Sequence, residues 1–295
     1  MFFKIVFFTF CTAALSAFPA AATPSVVVST APLHSIVGAV MDGAGEPQLL
    51  LPPTVSVHDF HLKPSDMRHL SSADIVFWGG PALETGLIKA LQAAGKQDQS
   101  IAVLESPELT VYPARGDHYS ETDGHFWLDP LNMAAAAFIA AQKLAKADPE
   151  NAALYQENAQ RLQSDMAALK SKGKKILAPF KNRPYVVFHD AYQYLEKSLG
   201  LSSLGALFID PHHAAGAARI SDVREKIKNK GTVCLFSEPQ FSDKRIKAAA
   251  EGLPVLFGEL DPSGSAVSPG KNFYPALMEN LYRSLAECLS RLPAE

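Results

Sequence analysis

Short apolar runs alternate with longer amphipathic stretches along most of this chain. The apolar runs predict eight β-strands, at 25–29, 48–51, 75–78, 101–104, 185–188, 204–208, 232–236 and 254–257. The stretches between them predict helices at 32–41, 64–70, 81–91, 130–147, 190–199, 217–230, 242–251 and 272–291. Strands that alternate with helices in this way indicate mostly parallel sheets with helices on both faces.

A long helix is predicted at mid-chain, between two halves that have the same order of elements. Asp148 and Pro149 supply its start, as an N-cap followed by proline at the first helical position. One apolar stripe at helical spacing runs along it and consists of Leu154, Leu162, Met166 and Leu169. We therefore expect two open α/β lobes joined by one rigid helix, with a cleft between them. The corresponding segments are 23–147, 148–175 and 176–295.

The segment 1–22 is typical of a secretory signal peptide. Lys4 supplies the positive start, and the apolar run from Ile5 to Leu15 is too short to span a bilayer as a stable helix. Small residues end the segment and place cleavage directly after Ala22. We expect an exported protein, and the alternative is a membrane anchor.

Composition indicates sizeable cores, argues against one class of partner and favours a disulfide. Hydrophobic residues make up 47% of the 295 positions, which is enough for sizeable cores. The net charge of −3 is mild. A nucleic-acid partner would require a basic face, so the charge does not indicate one. Signal cleavage would remove Cys11 and leave Cys234 and Cys288. In an oxidising compartment this isolated pair favours a disulfide, with two buried thiols as the alternative.

Three histidines stand where strands or loops meet helices. Val186, Val187 and Phe188 lead into His189, and Asp190 is a natural N-cap for the next helix. His189 is therefore expected at the carboxyl end of a strand, where ligands bind in open α/β sheets. The other two are His58, which precedes the helix at 64–70, and His125, which precedes the helix at 130–147. Imidazole suits Zn²⁺, so we predict that the three histidines share one metal ion.

Spacing alone does not specify this site, because the gaps are 67 and 64 residues and no compact motif links the histidines. Three histidines with an open position would also suit a zinc-dependent hydrolase. That alternative lacks a His-Glu-x-x-His helix and a Gly-x-Ser-x-Gly elbow. Glu238 is the candidate general base, and a packing or capping role is the simpler interpretation.

Several segments together resemble the periplasmic zinc-binding proteins of bacterial zinc ABC transporters. They are His58-Asp59-Phe60 with Pro64-Ser65-Asp66, His125-Phe126-Trp127-Leu128 with Pro130, Val187-Phe188-His189-Asp190-Ala191-Tyr192, Glu238-Pro239-Gln240-Phe241, and Leu260-Asp261-Pro262 with Gly264. The resemblance implies two α/β lobes bridged by one helix, a single Zn²⁺ in the cleft, and a Cys234–Cys288 disulfide. It also implies a periplasmic, monomeric receptor that delivers Zn²⁺ to a membrane permease, with an auxiliary metallochaperone as the alternative partner.

The resemblance places the ligands on His58, His125 and His189, with Asp261 as the candidate fourth ligand. Manganese receptors of similar type carry a carboxylate at the position of His189, so this residue is expected to decide between the two metals. Three imidazoles favour zinc, whereas manganese prefers oxygen ligands. Zinc receptors often have a long His-rich and acidic loop before the second ligand, but the loop at 113–124 is short. Its candidate auxiliary ligands are His118, Glu121 and Asp123, and a solvated acidic loop is the alternative.

Overall fold

The computed structural model describes residues 23–115, 121–209 and 216–293. The expected signal peptide and cleavage position at 1–22, and the candidate loop ligand His118, lie outside the described residues. None of the helices within these ranges is long and apolar enough to cross a membrane.

The first lobe contains one parallel four-stranded sheet in the order β2-β1-β3-β4. Its strands are β1 (Val26–Thr30), β2 (Gln48–Leu51), β3 (Ile75–Trp78) and β4 (Ser100–Ala102). Its helices are α1 (Ala31–Val40), α2 (Pro64–Ser72), α3 (Thr85–Ala94) and α4 (Pro130–Ala147). β1 and β3 are buried along their whole length, which explains why they read as continuous apolar runs instead of alternating ones.

The long helix α5 (Ala152–Leu177) follows a 3₁₀ turn at Pro149–Asn151. Its 26 residues span about 39 Å at the usual helical rise. It packs against α1 and α4 of the first lobe and against the last helix of the second lobe. Gly173 makes this last contact close, because a Cβ there would lie 2.6 Å from the ring of Tyr282.

The second lobe repeats the parallel arrangement in the order β6-β5-β7-β8. Its strands are β5 (Tyr185–His189), β6 (Ala206–Phe208), β7 (Val233–Ser237) and β8 (Val255–Glu259). Its helices are α6 (Gln193–Leu199), α7 (Ala217–Lys230), α8 (Asp243–Ala250) and α9 (Phe273–Leu289). A disulfide between Cys234 of β7 and Cys288 of α9 joins sheet to helix, with 6.0 Å between the Cα atoms. The expected pairing is confirmed.

The strand order determines where a ligand can bind. In the second sheet the chain runs from β5 outward to β6 and then returns to β7, so β5 and β7 flank the point where the topology reverses. Ligands of open α/β sheets bind outside the carboxyl ends of strands at such a point. His189 is the last residue of β5, as predicted, and Glu238 directly follows β7.

One apolar core runs through both lobes and the helix between them. It includes Val28 and Phe77 from the first sheet, Met166 from α5, and Leu195 and Tyr274 from the second lobe. Two smaller apolar clusters cover the outer face of each sheet. The shared core opposes large rigid-body movement of one lobe against the other, because such movement would expose buried apolar surface.

Three local expectations were wrong. The helix expected at 81–91 begins at Thr85, because Glu84 accepts hydrogen bonds from the N–H groups of Gly79 and Gly80 and the chain turns first. The strand expected at 101–104 ends at Ala102 and continues as a 3₁₀ turn. Asp190 is not an N-cap: α6 begins at Gln193, and the Asp190 carboxylate pairs with Arg115.

Candidate metal centre

The three predicted histidines meet in the cleft between the lobes. The Nε2 atom of His125 lies 3.2 Å from Nε2 of His58 and 3.3 Å from Nε2 of His189. The ring centroids are 5.2 to 5.9 Å apart. Zinc–imidazole bonds of about 2.05 Å at tetrahedral angles separate their nitrogens by about 3.3 Å. The two distances from His125 match this separation, and the ligand atoms of all three side chains lie within 4.8 Å of one another, so the group could hold a metal.

Each histidine reaches the site from a different element. His58 lies in the loop between β2 and α2, where its backbone N–H donates to Ser56 Oγ. His125 directly precedes the 3₁₀ turn Phe126–Leu128 that leads into α4. His189 ends β5. Two of these imidazoles therefore come from the first lobe and one from the second, so an ion bound by all three would bridge the lobes.

Carboxylates orient two of the three rings. His125 Nδ1 lies 2.8 Å from Asp123 Oδ1, and His189 Nδ1 lies 2.6 Å from Glu238 Oε1. An ionised carboxylate can only accept, so the Nδ1 atoms carry the protons and the Nε2 lone pairs point toward the centre of the cluster. This tautomer is the one that metal binding through Nε2 requires.

Burial and charge pairing shift the pKa values of Asp123 and His189 at the site. Burial raises the pKa of Asp123, but hydrogen bonds from His125 and Gln193 and the charge of His125 hold that pKa below its ordinary value. Burial lowers the pKa of His189, but the charge of Glu238 and its hydrogen bond raise that pKa more, so the net direction is upward. The anionic Glu238 makes His189 a better base and a better metal ligand, and it also strengthens competition by protons at this residue.

A small cavity of about 20 Å³ lies beside the imidazoles. Its wall includes Trp127 and Phe241. The indole N–H of Trp127 donates to Pro262 O at 2.9 Å across the cleft. A space of this size holds an ion or one water and not an organic substrate, since such pockets measure roughly 300 Å³ or more.

The structure does not bring Asp261 into the histidine cluster. Its Oδ1 accepts from Gln240 Nε2 at 2.7 Å and from the backbone N–H of Gly264 at 2.9 Å. Its Oδ2 accepts from the N–H and the hydroxyl of Ser265 at 2.5 and 2.7 Å. These contacts order the turn after β8.

The candidate loop ligands take other positions. Glu121 is exposed, and its carbonyl accepts from the N–H of Ala114 in a short antiparallel pairing. Asp123 is buried and directed at His125 Nδ1, not at the metal position. Its spacing, two residues before His125, was the local signal for this role, because Asp123 Oδ1 also accepts from the His125 backbone N–H.

Three contacts at the site had no signal in the sequence. Gln193 Nε2 donates to Asp123 Oδ2 at 2.9 Å, and Arg115 pairs with Asp190 and Glu196. Their partners are 70 to 81 residues away along the chain, so no short-range pattern could indicate them.

Comparisons with known proteins agree with this geometry. The sequence matches the ZnuA family, described as "Zinc-uptake complex component A periplasmic", over residues 26–288. The high-affinity zinc uptake system protein ZnuA of Brucella suis biovar 1 is 37% identical over 306 aligned positions, which cover 90% of this chain and 92% of that protein. The protein of the same name from Yersinia pestis is 32% identical, with 91% and 92% covered.

Solved structures show the same fold. A ZnuA deletion mutant with zinc bound superposes with a TM-score of 0.79 at 22% identity, covering 92% of this chain and 100% of that one. The periplasmic zinc binding protein TroA from Treponema pallidum gives a TM-score of 0.80 at 21% identity, with 91% and 100% covered. The sequence matches, extending over nearly the whole chain, decide the family. The chain belongs to the ZnuA family of periplasmic zinc-uptake components, which are zinc-binding receptors.

Proposed function

We propose that His58, His125 and His189 bind the single Zn²⁺ ion that this receptor carries. The observation that carries the proposal is the 3.2 and 3.3 Å spacing of the Nε2 atoms, which matches the nitrogen spacing around one tetrahedral zinc. The carboxylates of Asp123 and Glu238 support it, because they set the tautomer that directs Nε2 of the two buried rings inward.

Zinc is favoured over manganese because the converging donors are three imidazole nitrogens. His189 is the residue that decides this, since a carboxylate in its place would offer oxygen ligands. Asp261 is our candidate for a fourth ligand. It would have to exchange its hydrogen bond from Gln240 for the metal, and a water in the small cavity is the other source of a fourth donor.

The site supports a carrier and not a hydrolase. The cavity beside the histidines is too small for an organic substrate. Glu238, the candidate general base, accepts from His189 Nδ1 and from the Tyr192 hydroxyl, so its Oε1 atom is engaged in orienting a ligand. We infer that the protein is not an enzyme.

We further propose that the chain is exported with cleavage near Ala22 and acts as a monomer in the periplasm. Its partner in this proposal is the membrane permease of a zinc ABC transporter, with a periplasmic metallochaperone as an alternative partner. Glu121 and His118 remain candidates for weak auxiliary binding in the loop, whereas Asp123 serves His125 instead.

The test is metal stoichiometry and competitive binding of the mature protein, compared with His189→Ala and with His69→Ala as a matched control. His69 is exposed on α2, away from the cluster. We expect one zinc per chain in the wild type and in His69→Ala, severe loss in His189→Ala, and no displacement by excess Mn²⁺. Preference for Mn²⁺, or equal effects of the two substitutions, would overturn the assignment.

A further inference from the structure

The loop that carries His125 is held by the first turn of α6 in the second lobe. Gln193 Nε2 donates to Pro113 O and to Asp123 Oδ2, both at 2.9 Å. The Tyr194 hydroxyl donates to Asp123 O at 2.9 Å and accepts from the N–H of Tyr112 at 3.2 Å. Two adjacent side chains of one helix therefore hold both ends of a loop that belongs to the other lobe.

Asp123 is the junction of this arrangement. Its Oδ1 accepts from the N–H and from Nδ1 of His125, and its Oδ2 accepts from Gln193. Asp123 and Gln193 are 5% and 6% exposed, so bulk water is not available to replace the bond between them. Hydrogen bonds to a buried charged group are among the stronger ones, and removing the donor leaves the carboxylate oxygen unsatisfied.

The orientation of the Gln193 amide is defined by its surroundings. Both groups near Nε2 are acceptors, a backbone carbonyl and a carboxylate, so this position requires the amide N–H₂ and not the amide oxygen. Gln193 thus contributes two donors at fixed positions. Because it follows His189 by four residues, it links the strand end that bears one histidine to the carboxylate that orients another.

We propose that Gln193 is a positioning residue for zinc binding: acting through Asp123, it holds the His125 imidazole so that Nε2 faces the metal. The proposal rests on the zinc site proposed above. Without Gln193, the carboxylate would be attached through Oδ1 alone and could rotate. The ring of His125 would then lose its fixed direction, although all three ligands would still be present.

The experiment measures zinc affinity and chelator-driven zinc release for the wild type, Gln193→Met and Tyr194→Phe. Methionine keeps the approximate length of glutamine and removes both donors. Tyr194→Phe is the matched control, because it removes hydrogen bonds between the same helix and the same loop but leaves the Asp123 carboxylate untouched. We expect Gln193→Met to weaken zinc binding by about 10-fold, the lower end of the range for residues that hydrogen-bond a metal ligand directly, because Gln193 acts through Asp123; Tyr194→Phe should change it by less than about 2-fold.

A double-substitution cycle tests whether Gln193 acts through Asp123. In an Asp123→Ala background, adding Gln193→Met is expected to have no further effect on zinc affinity. Co²⁺ spectra give a second readout, since the visible absorption of bound Co²⁺ reports coordination geometry. We expect these bands to change in Gln193→Met and to stay the same in Tyr194→Phe. A purely structural role would lower thermal stability without changing them.

The outcomes separate the two proposals. If the wild type binds no zinc, the proposed function and this inference both fall. If the wild type binds zinc, then wild-type affinity in Gln193→Met, equal loss in Tyr194→Phe, or additive effects with Asp123→Ala would overturn the role of Gln193 alone. If Gln193→Met does not fold, Gln193→Asn carries the same test, because its amide is one methylene too short to reach Asp123.

Discussion

Glu84 is a fully buried carboxyl group at the point where the first sheet reverses its topology, between β1 and β3. Its Oε2 accepts from the N–H groups of Gly79 and Gly80 at 2.7 and 3.2 Å. Burial raises the pKa of Glu84 to about 7, although the backbone hydrogen bonds from Gly79 and Gly80 partly oppose this. The group is therefore neutral at acidic pH and ionises near neutrality, inside an apolar lobe. We predict that Glu84→Gln removes a pH-dependent loss of stability.

The magnitude follows from the difference between the folded and the unfolded pKa. A change from 4.5 to about 7 corresponds to about 3 kcal/mol at about 1.4 kcal/mol for each tenfold change in proton affinity. The contribution of a group with a raised pKa is fully present below the unfolded value of 4.5 and is lost as the pH rises through about 7. Between pH 5 and pH 8 the wild type should lose about 2 to 3 kcal/mol through Glu84.

Glutamine mimics the protonated form. Its amide oxygen can accept from the N–H groups of Gly79 and Gly80, as Glu84 Oε2 does in the wild type. The variant therefore keeps the local hydrogen bonds without an ionisable group. Relative to the wild type, we expect Glu84→Gln to gain about 2 to 3 kcal/mol of unfolding free energy between pH 5 and pH 8.

Urea unfolding of the zinc-free protein at pH 5 and pH 8 measures this gain. The matched control is Glu108→Gln, which removes an exposed carboxylate from a loop of the same lobe. Other titrating groups are common to all three proteins and cancel in the comparison. Parallel stability curves for wild type and Glu84→Gln would contradict a raised pKa at Glu84, as would an equal gain in Glu108→Gln.

Three further predictions concern packing, the disulfide and proton competition. Gly173→Ala should lower the unfolding free energy measured in urea by about 1 to 3 kcal/mol, because the new Cβ would clash with the Tyr282 ring. The cost of this clash outweighs a helix-propensity gain of about 1 kcal/mol. A more stable variant would contradict the close packing. Replacing Cys234 and Cys288 by alanine should lower it by about 4 kcal/mol, given their separation of 54 residues, and a reductant should reproduce the effect in the wild type but not in the variant. Zinc affinity should fall from pH 7 to pH 5, because protons compete with zinc for the His189 imidazole. Burial lowers the pKa of His189, but Glu238 raises it more, so this competition begins at a higher pH than for an ordinary histidine. Constant affinity in a chelator competition would argue against histidine ligation.

The strands were predictable because parallel sheets covered on both faces require continuous apolar runs. The run at 75–78 is β3, and the run at 48–51 is β2, with unchanged bounds. The position of His189 at a strand end also followed from its neighbours, since β-prone residues precede it directly. In each case the deciding interaction lies within a few residues of the chain.

Helix starts were less predictable where the side chain expected to cap the helix binds a residue far away in the sequence instead. Asp190 has the local pattern of an N-cap, but Arg115, 75 residues earlier, binds its carboxylate in the folded protein. A pattern of neighbouring residues can indicate only nearby backbone N–H groups as hydrogen-bond partners of the Asp190 carboxylate. An arginine brought close by the tertiary fold competes with them and, as a charged donor, forms the stronger bond.

Local periodicity, strand ends and residue type were enough to predict the two α/β lobes, the long helix and the three candidate histidines. How the histidines are used depends on the packed fold. It placed Asp123 and Glu238 on Nδ1 of two rings, joined Gln193 to Asp123, and left Asp261 in a turn outside the cluster. Several of these contacts join residues far apart in the chain, so their hydrogen bonds exist only after the lobes have packed together.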